Sequence, residues 1–197
     1  MRGVPRLRRL LRIRLRSLLL LMAAASLLLF YPMKAARDRA QALRTIQELG
    51  GDVLFEERSP TDRPVPRWLT DWLGQDYFRR ARWIDLLGEN FDDENIDLIR
   101  HFPEARVFCS YHSRITDAGM RRLGSMRNLQ EVYLGNLSIT DKGLDSLTRL
   151  RKLTKVQVDA CSLDVTNAGK EALVDALPQL KPKRDYIARS GSIYLPN

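Results

Sequence analysis

The sequence predicts an α/β fold, a solenoid of repeats with a short parallel sheet, preceded by an N-terminal transmembrane helix. Two observations carry that prediction. The phrase ITDAGM at residues 115 to 120 returns as ITDKGL at 139 to 144, an interval of 24 residues. A run of 17 uncharged residues, SLLLLMAAASLLLFYPM, lies between Arg16 and Lys34. The expected organisation is an Arg-rich N-terminus and anchor over 1–33, a helix, strand and Pro-rich loop over 34–80, four repeats over 81–180, and a C-terminal extension over 181–197.

The formal net charge of +9 on 197 residues suggests an anionic partner until the charges are located. Eleven Lys and Arg fall between Met1 and Arg44 against one acid, Asp38, which leaves 22 basic and 23 acidic residues beyond Arg44. A near-neutral body offers no net field for phosphate, so nucleic acid is not an expected partner. As a helix the uncharged run is about 25 Å long, at the low end for a membrane span, with Arg16 and Lys34 placed to snorkel. Seven arginines precede it. The positive-inside bias then predicts a single-pass membrane protein held through residues 17–33, with a cytoplasmic N-terminus and an extracytoplasmic repeat domain. Two alternatives stand beside the anchor: a signal peptide cut near Ala23-Ala24-Ala25, which leaves LLLFY at the start of the mature chain, and an Arg-rich mitochondrial transit peptide.

Behind the run, KAARDRAQALRTIQEL places Ala36, Ala40, Leu43, Ile46 and Leu49 three or four residues apart, predicting an amphipathic helix capped by Gly50 and Gly51. DVLFEE reads as a short strand, residues 58 to 67 as a Pro-rich surface loop, and WLTDWLGQDYFRR as a short helix ending near Gly74. Trp68, Leu69, Trp72 and Leu73 are expected to cap the core.

Frames starting at Ala81, Ala105, Leu129 and Leu153 align. Each opens with a strand whose inward positions are Ile84 and Leu86, Phe108 and Ser110, Val132 and Leu134, Val156 and Val158. An apolar turn residue follows (Phe91, Ile115, Ile139, Val165), then a helix. Those helices turn inward through Ile96, Ile99 and Phe102; Met120, Leu123 and Met126; Leu144, Leu147 and Leu150; Leu173 and Leu177. In the repeated phrase Ile139 fills the core, Thr140 is placed as N-cap, Asp141 puts an anion in the first helical turn, and Gly143 lets successive repeats approach closely. One such unit cannot bury its apolar side alone, so neighbours must stack.

The LxxVxL strand, the ITDxGL turn-helix and the 24-residue step resemble a leucine-rich repeat. With the Arg-rich N-terminus and single hydrophobic segment, the chain is similar to the small membrane-anchored leucine-rich-repeat proteins of planctomycete bacteria. Ser110 and Ala105 depart from that pattern, standing where larger aliphatics are expected. Pro103 and Glu104 replace its asparagine-like close, so the first frame reads as a degenerate, cap-like repeat.

Cys109 and Cys161 lie two frames apart, about 10 Å at the usual strand spacing, so two free thiols are expected. His101 and His112 lack metal-ligand neighbours in the sequence and read as solvated. No catalytic motif, metal cluster, cofactor site or small-molecule substrate site is expected. Binding is expected instead on outward strand residues, which form columns: Trp83, Val107, Glu131, Lys155; then Asp85, Cys109, Tyr133, Gln157; then Tyr111 and Asp159. Trp83, Asp85, Tyr111, Glu131, Tyr133, Lys155 and Gln157 are the interaction candidates. The expected function is a non-catalytic, membrane-tethered protein-interaction module with an unidentified protein partner. Alternatives by resemblance are a mitochondrial coupling component of the coupling factor B type, suggested by ITDKG and ALPQL, and an F-box-like adaptor lacking its F-box.

Overall fold

The computed structural model describes residues 15–57, 64–159 and 165–180. The Arg-rich stretch before Leu15, most of the Pro-rich loop, Cys161 and the extension 181–197 with its expected extra strand lie outside the described residues. Helix α1 (Leu15–Glu48) runs unbroken through the uncharged stretch and the amphipathic segment behind it. Its second half meets the core through Ala36, Ala42, Leu43 and Ile46, while Leu20, Met22, Phe30 and Tyr31 are exposed.

Among the described residues no helix is long and apolar enough to cross a membrane. The expected anchor through residues 17–33, the single-pass localisation and the sidedness drawn from it are therefore corrected. The reason lies in the helix itself. Its uncharged stretch is about 25 Å against a hydrocarbon core of about 30 Å, Pro32 falls inside it, and Lys34, Arg37, Asp38 and Arg39 follow at once.

At its C-terminus α1 closes on Gly50 and Gly51, whose N–H groups return to the carbonyls of Gln47 and Ile46 at 3.1 and 2.9 Å. The chain doubles back directly into β1 (Asp52–Phe55), which pairs antiparallel with β2 (Ala81–Leu87). Strands β3 (Val107–Tyr111), β4 (Glu131–Gly135) and β5 (Lys155–Asp159) then add in parallel, each residue paired with the one 24 positions on. The order is β1-β2-β3-β4-β5. The protein is thus an α/β domain with a five-stranded mixed sheet. A leucine-rich-repeat solenoid with a purely parallel sheet behind a transmembrane helix is not what forms, because the α1–β1 segment occupies one sheet edge and runs against the others.

The helical layer is also uneven. A 3₁₀ turn covers Asn95–His101, α3 covers Asp117–Leu123, α4 (Asp141–Asp145) passes into a 3₁₀ turn at Ser146–Arg149, and α5 covers Asn167–Ala176. All the expected inward strand and helix residues are buried, and so are Phe91, Ile115 and Ile139, whereas Val165 is half-buried. Ser110, polar in this core, donates to the Leu86 carbonyl at 2.9 Å and shares a bond with Ser113 at 2.8 Å. Between β1 and β2 helix α2 (Arg67–Leu73) buries no residue, and Trp68 is 67% exposed. The expected aromatic cap on the core does not form, since this helix lays neither tryptophan against the buried residues.

The repeated phrase interlocks neighbours. Asp117 accepts from the Thr140 N–H at 2.8 Å and the Thr140 hydroxyl at 2.7 Å. Asp93 does the same for Thr116 at 2.8 and 2.6 Å, and Asp141 for Thr166 at 2.8 and 2.7 Å. Each threonine in turn caps its own helix, accepting from Ala118, Lys142 or Gly169 N–H. The expected N-cap is present, but the aspartate serves the next unit in the chain as well as its own helix. A Cβ on Gly143 would fall 2.5 Å from the Asp117 carboxylate, so this position must be glycine for the carboxylate to fit.

At the other end of the domain Arg39 joins α1 to the rest. Its guanidinium donates to the carbonyls of Asp76, Arg79 and His101 at 3.2, 2.7 and 2.8 Å, pairs with Glu104, and lies 4.7 Å over the Phe102 ring. Burial pushes the Glu104 carboxyl up, but bonds from Arg39 and the Ala81 N–H outweigh it and hold the group below its ordinary value.

Asp117→Ala and Gly143→Ala should each cost about 2 kcal/mol, the first by orphaning two donors and the second by collision. In the Asp117→Ala background Gly143→Ala should be neutral or stabilising by up to about 1 kcal/mol, since the clash is gone and alanine favours helix. Additive costs in urea denaturation would refute the interlock. Arg39→Ala should cost about 3 kcal/mol by stranding a half-buried carboxylate and three carbonyls. Because Glu104 titrates below its ordinary 4.5 when folded, its contribution is present above that pH and lost as pH falls through the lowered value. Thermal melts of Glu104→Gln from pH 6 to about pH 3 should show a shallower acid loss than wild type.

Candidate functional site

With Ile84, Phe108, Val132 and Val156 turned inward, alternation turns Trp83, Asp85 and Leu87 outward on β2, with their counterparts on the later strands. The outer face is therefore about 19 Å wide across five strands. Two clusters form on it.

In the first, the rings of Trp83 and Tyr133 stack with centroids 5.6 Å apart and planes 16° from parallel. They belong to β2 and β4, and their reach over β3 explains why outward-facing Val107 and Cys109 are buried. Lys155 lies 5.0 Å from the Tyr133 ring centroid. Each ring is fixed by an acid two residues away on its own strand. Trp83 Nε1 donates to Asp85, and the Tyr133 hydroxyl donates to Glu131 at 2.5 Å. Burial and the Glu131 carboxylate raise the Tyr133 pKa, opposed by Lys155.

In the second cluster the Tyr111 hydroxyl donates to Asp159 at 3.3 Å, two strands away, and Gln157 Nε2 donates to the same oxygen. Tyr111 lies across Gly135, where a Cβ would sit 2.2 Å from the ring. The seven expected candidates thus separate into Trp83, Asp85, Glu131, Tyr133 and Lys155 on one side and Tyr111 with Gln157 on the other. Sequence reasoning missed Leu54 and Leu87, which are 51% and 42% exposed, the first opposite Trp83 and the second beside Tyr111. Leu54 pairs with Trp83 through the antiparallel β1. No 24-residue spacing could reveal that contact.

The face holds its own polar groups in mutual bonds. Cys109 is a free thiol beneath the rings, pushed up to about 12 by burial and by the charge and hydrogen bond of Asp85. It is protonated at neutral pH and poorly nucleophilic. Among the described residues no group of three or more His, Cys, Asp or Glu is placed to hold a metal ion. His112 is exposed with Nδ1 2.8 Å from the Asn136 amide, and His101 is half-buried.

No protein-family model matches this chain, and no curated protein matches it.

Cys109 should resist alkylation by iodoacetamide at pH 8 in the folded protein and react once guanidinium unfolds it, with the site located by mass spectrometry. Modification at the rate of a free thiol in the native state would contradict the burial.

Proposed function

We propose that the protein is a non-catalytic interaction domain that binds a protein partner on the outer face of its sheet. The observation that favours this reading is the Trp83–Tyr133–Lys155 stack, half-exposed and bordered by the exposed Leu54. Aromatic side chains with a polar tip supply most of the energy at protein interfaces, and rings already fixed by hydrogen bonds lose little entropy on binding. Asp85 and Glu131 fix these two rings before any partner arrives. The area is small, so the contact is transient unless the partner also reaches the surrounding loops.

The test compares wild type with the double variant Trp83→Ala/Tyr133→Ala in affinity capture followed by quantitative mass spectrometry. Both proteins are first checked for equal melting behaviour. Partners held by wild type should fall at least about tenfold in the variant, as expected when two hot-spot side chains are truncated. Identical partner lists would overturn the assignment of this face.

A further inference from the structure

The N-terminal ends of β2–β5 border an open trough of about 420 Å³ that lies apart from the outer-face aromatics. Its floor follows the 24-residue step, because Arg80, Glu104, Asn128 and Lys152 occupy equivalent positions in successive units. Three strand spacings separate the first from the last, about 14 Å. Glu56 and Arg106 complete the lining that matters here.

The two carboxylates in the trough are committed to arginines. Glu104 is bound by Arg39 and the Ala81 N–H, and Glu56 pairs with Arg106 at 3.4 Å. Asn128 ties its amide N–H to the Pro103 carbonyl at 2.9 Å and with its oxygen holds the Lys152 ammonium at 2.7 Å. That leaves a cation at each end of the floor, Arg80 and Lys152, both exposed. Arg127 and Arg151, also exposed, adjoin floor positions in the chain, and exposed Arg82 lies two residues from Arg80. The near-neutral charge beyond Arg44 therefore hides a segregation, with a basic rim at the strand starts and Asp92, Asp93, Asp117 and Asp141 at the opposite turns.

We infer that this trough binds an extended acidic peptide segment of a partner protein, with one carboxylate on Arg80 and a second on Lys152. An extended chain rises about 3.3 Å per residue, so acids about four residues apart match the 14 Å floor and project from the same side. A phosphodiester chain fits less well. Charged at every residue, it would set a phosphate against Glu104 or Glu56, and among the described residues no aromatic side chain lines the trough to stack a base. This inference stands apart from the outer face and does not depend on it.

The experiment uses fluorescence anisotropy with the full chain and a short labelled Gly/Ser peptide carrying two glutamates about four residues apart. Comparison probes are the same peptide with glutamines, the peptide with adjacent glutamates, and an oligothymidylate. The spaced-glutamate peptide should bind with salt-sensitive affinity, and Arg80→Ala/Lys152→Ala should weaken it about fivefold or more while leaving the melting curve in place. Adjacent glutamates should bind more weakly than spaced ones. Equal affinity in the variant, or equal binding of the glutamine peptide, overturns the inference. So does tighter binding of the oligothymidylate that falls in the same variant, which would assign the trough to nucleic acid.

Discussion

Every strand from β2 to β5 depends on one constraint: residue n must lie beside residue n + 24, with no slip. Apolar packing alone does not enforce this, because Ile, Leu and Val at alternate positions would accept a shift by two residues nearly as well. The carboxylates of Asp93, Asp117 and Asp141 do enforce it. Each accepts both the N–H and the hydroxyl of the threonine ahead, and each needs the missing side chain of a glycine to fit. Moving one unit by a residue would break two charge-assisted bonds and drive a carboxylate into a helix. The interlock also satisfies the N–H groups that begin each short helix, which α4, only five residues long, could not leave unpaired.

The interlock has a beginning and an end. In the first unit Asp92 stands where threonine stands later, and it accepts from the N–H groups of Glu94 and Asn95 at 2.9 and 3.2 Å. Asn95 answers by accepting from the Asp92 N–H at 2.9 Å, so this terminus is capped within itself. In the last unit Asn167 replaces the aspartate and offers no carboxylate to a following threonine. The first edge is closed by different means: antiparallel β1 takes the free side of β2, and Arg39 binds α1 to the carbonyls of two separate turns. Those non-repeating parts change the fold class, since they convert stacked units into a bounded mixed sheet.

Legibility in the sequence follows the same division. The strands, the inward residues and the outward columns could be read because they recur every 24 positions, and a recurring pattern averages out local ambiguity. The aspartate was visible, but its partner was not. A carboxylate in the first helical turn has a sufficient local role, and nothing in one strand of text says that it also reaches the next unit. Arg39 looked like any charged residue on an amphipathic helix, because its acceptors are carbonyls, which leave no trace in side-chain composition. The uncharged run and its charged flanks read as a membrane helix with interfacial anchors, whereas in the fold those charged turns continue the same helix and pack it on the domain. Trp68 and Trp72 share one helix face at a spacing of four and read as a core side, but apolarity on one face does not say whether that face meets the core, and here no residue of the helix is buried.

The repeat also determines where function can vary. Positions inside the interlock are fixed by their neighbours, so change there costs stability in two units at once. Outward strand positions, and the residues before each strand other than Glu104, lie outside the interlock, and in these columns the four units differ most: Trp, Val, Glu, Lys in one column and Arg, Glu, Asn, Lys in another. A parallel in-register sheet then places those differences side by side at the strand spacing, turning sequence variation into a two-dimensional pattern. On the outer face the pattern collects aromatic rings and their acids. At the strand starts it collects cations around two neutralised carboxylates. A net charge summed along the chain is blind to this sorting, which is why the body could look featureless in composition while presenting two surfaces of opposite chemical character.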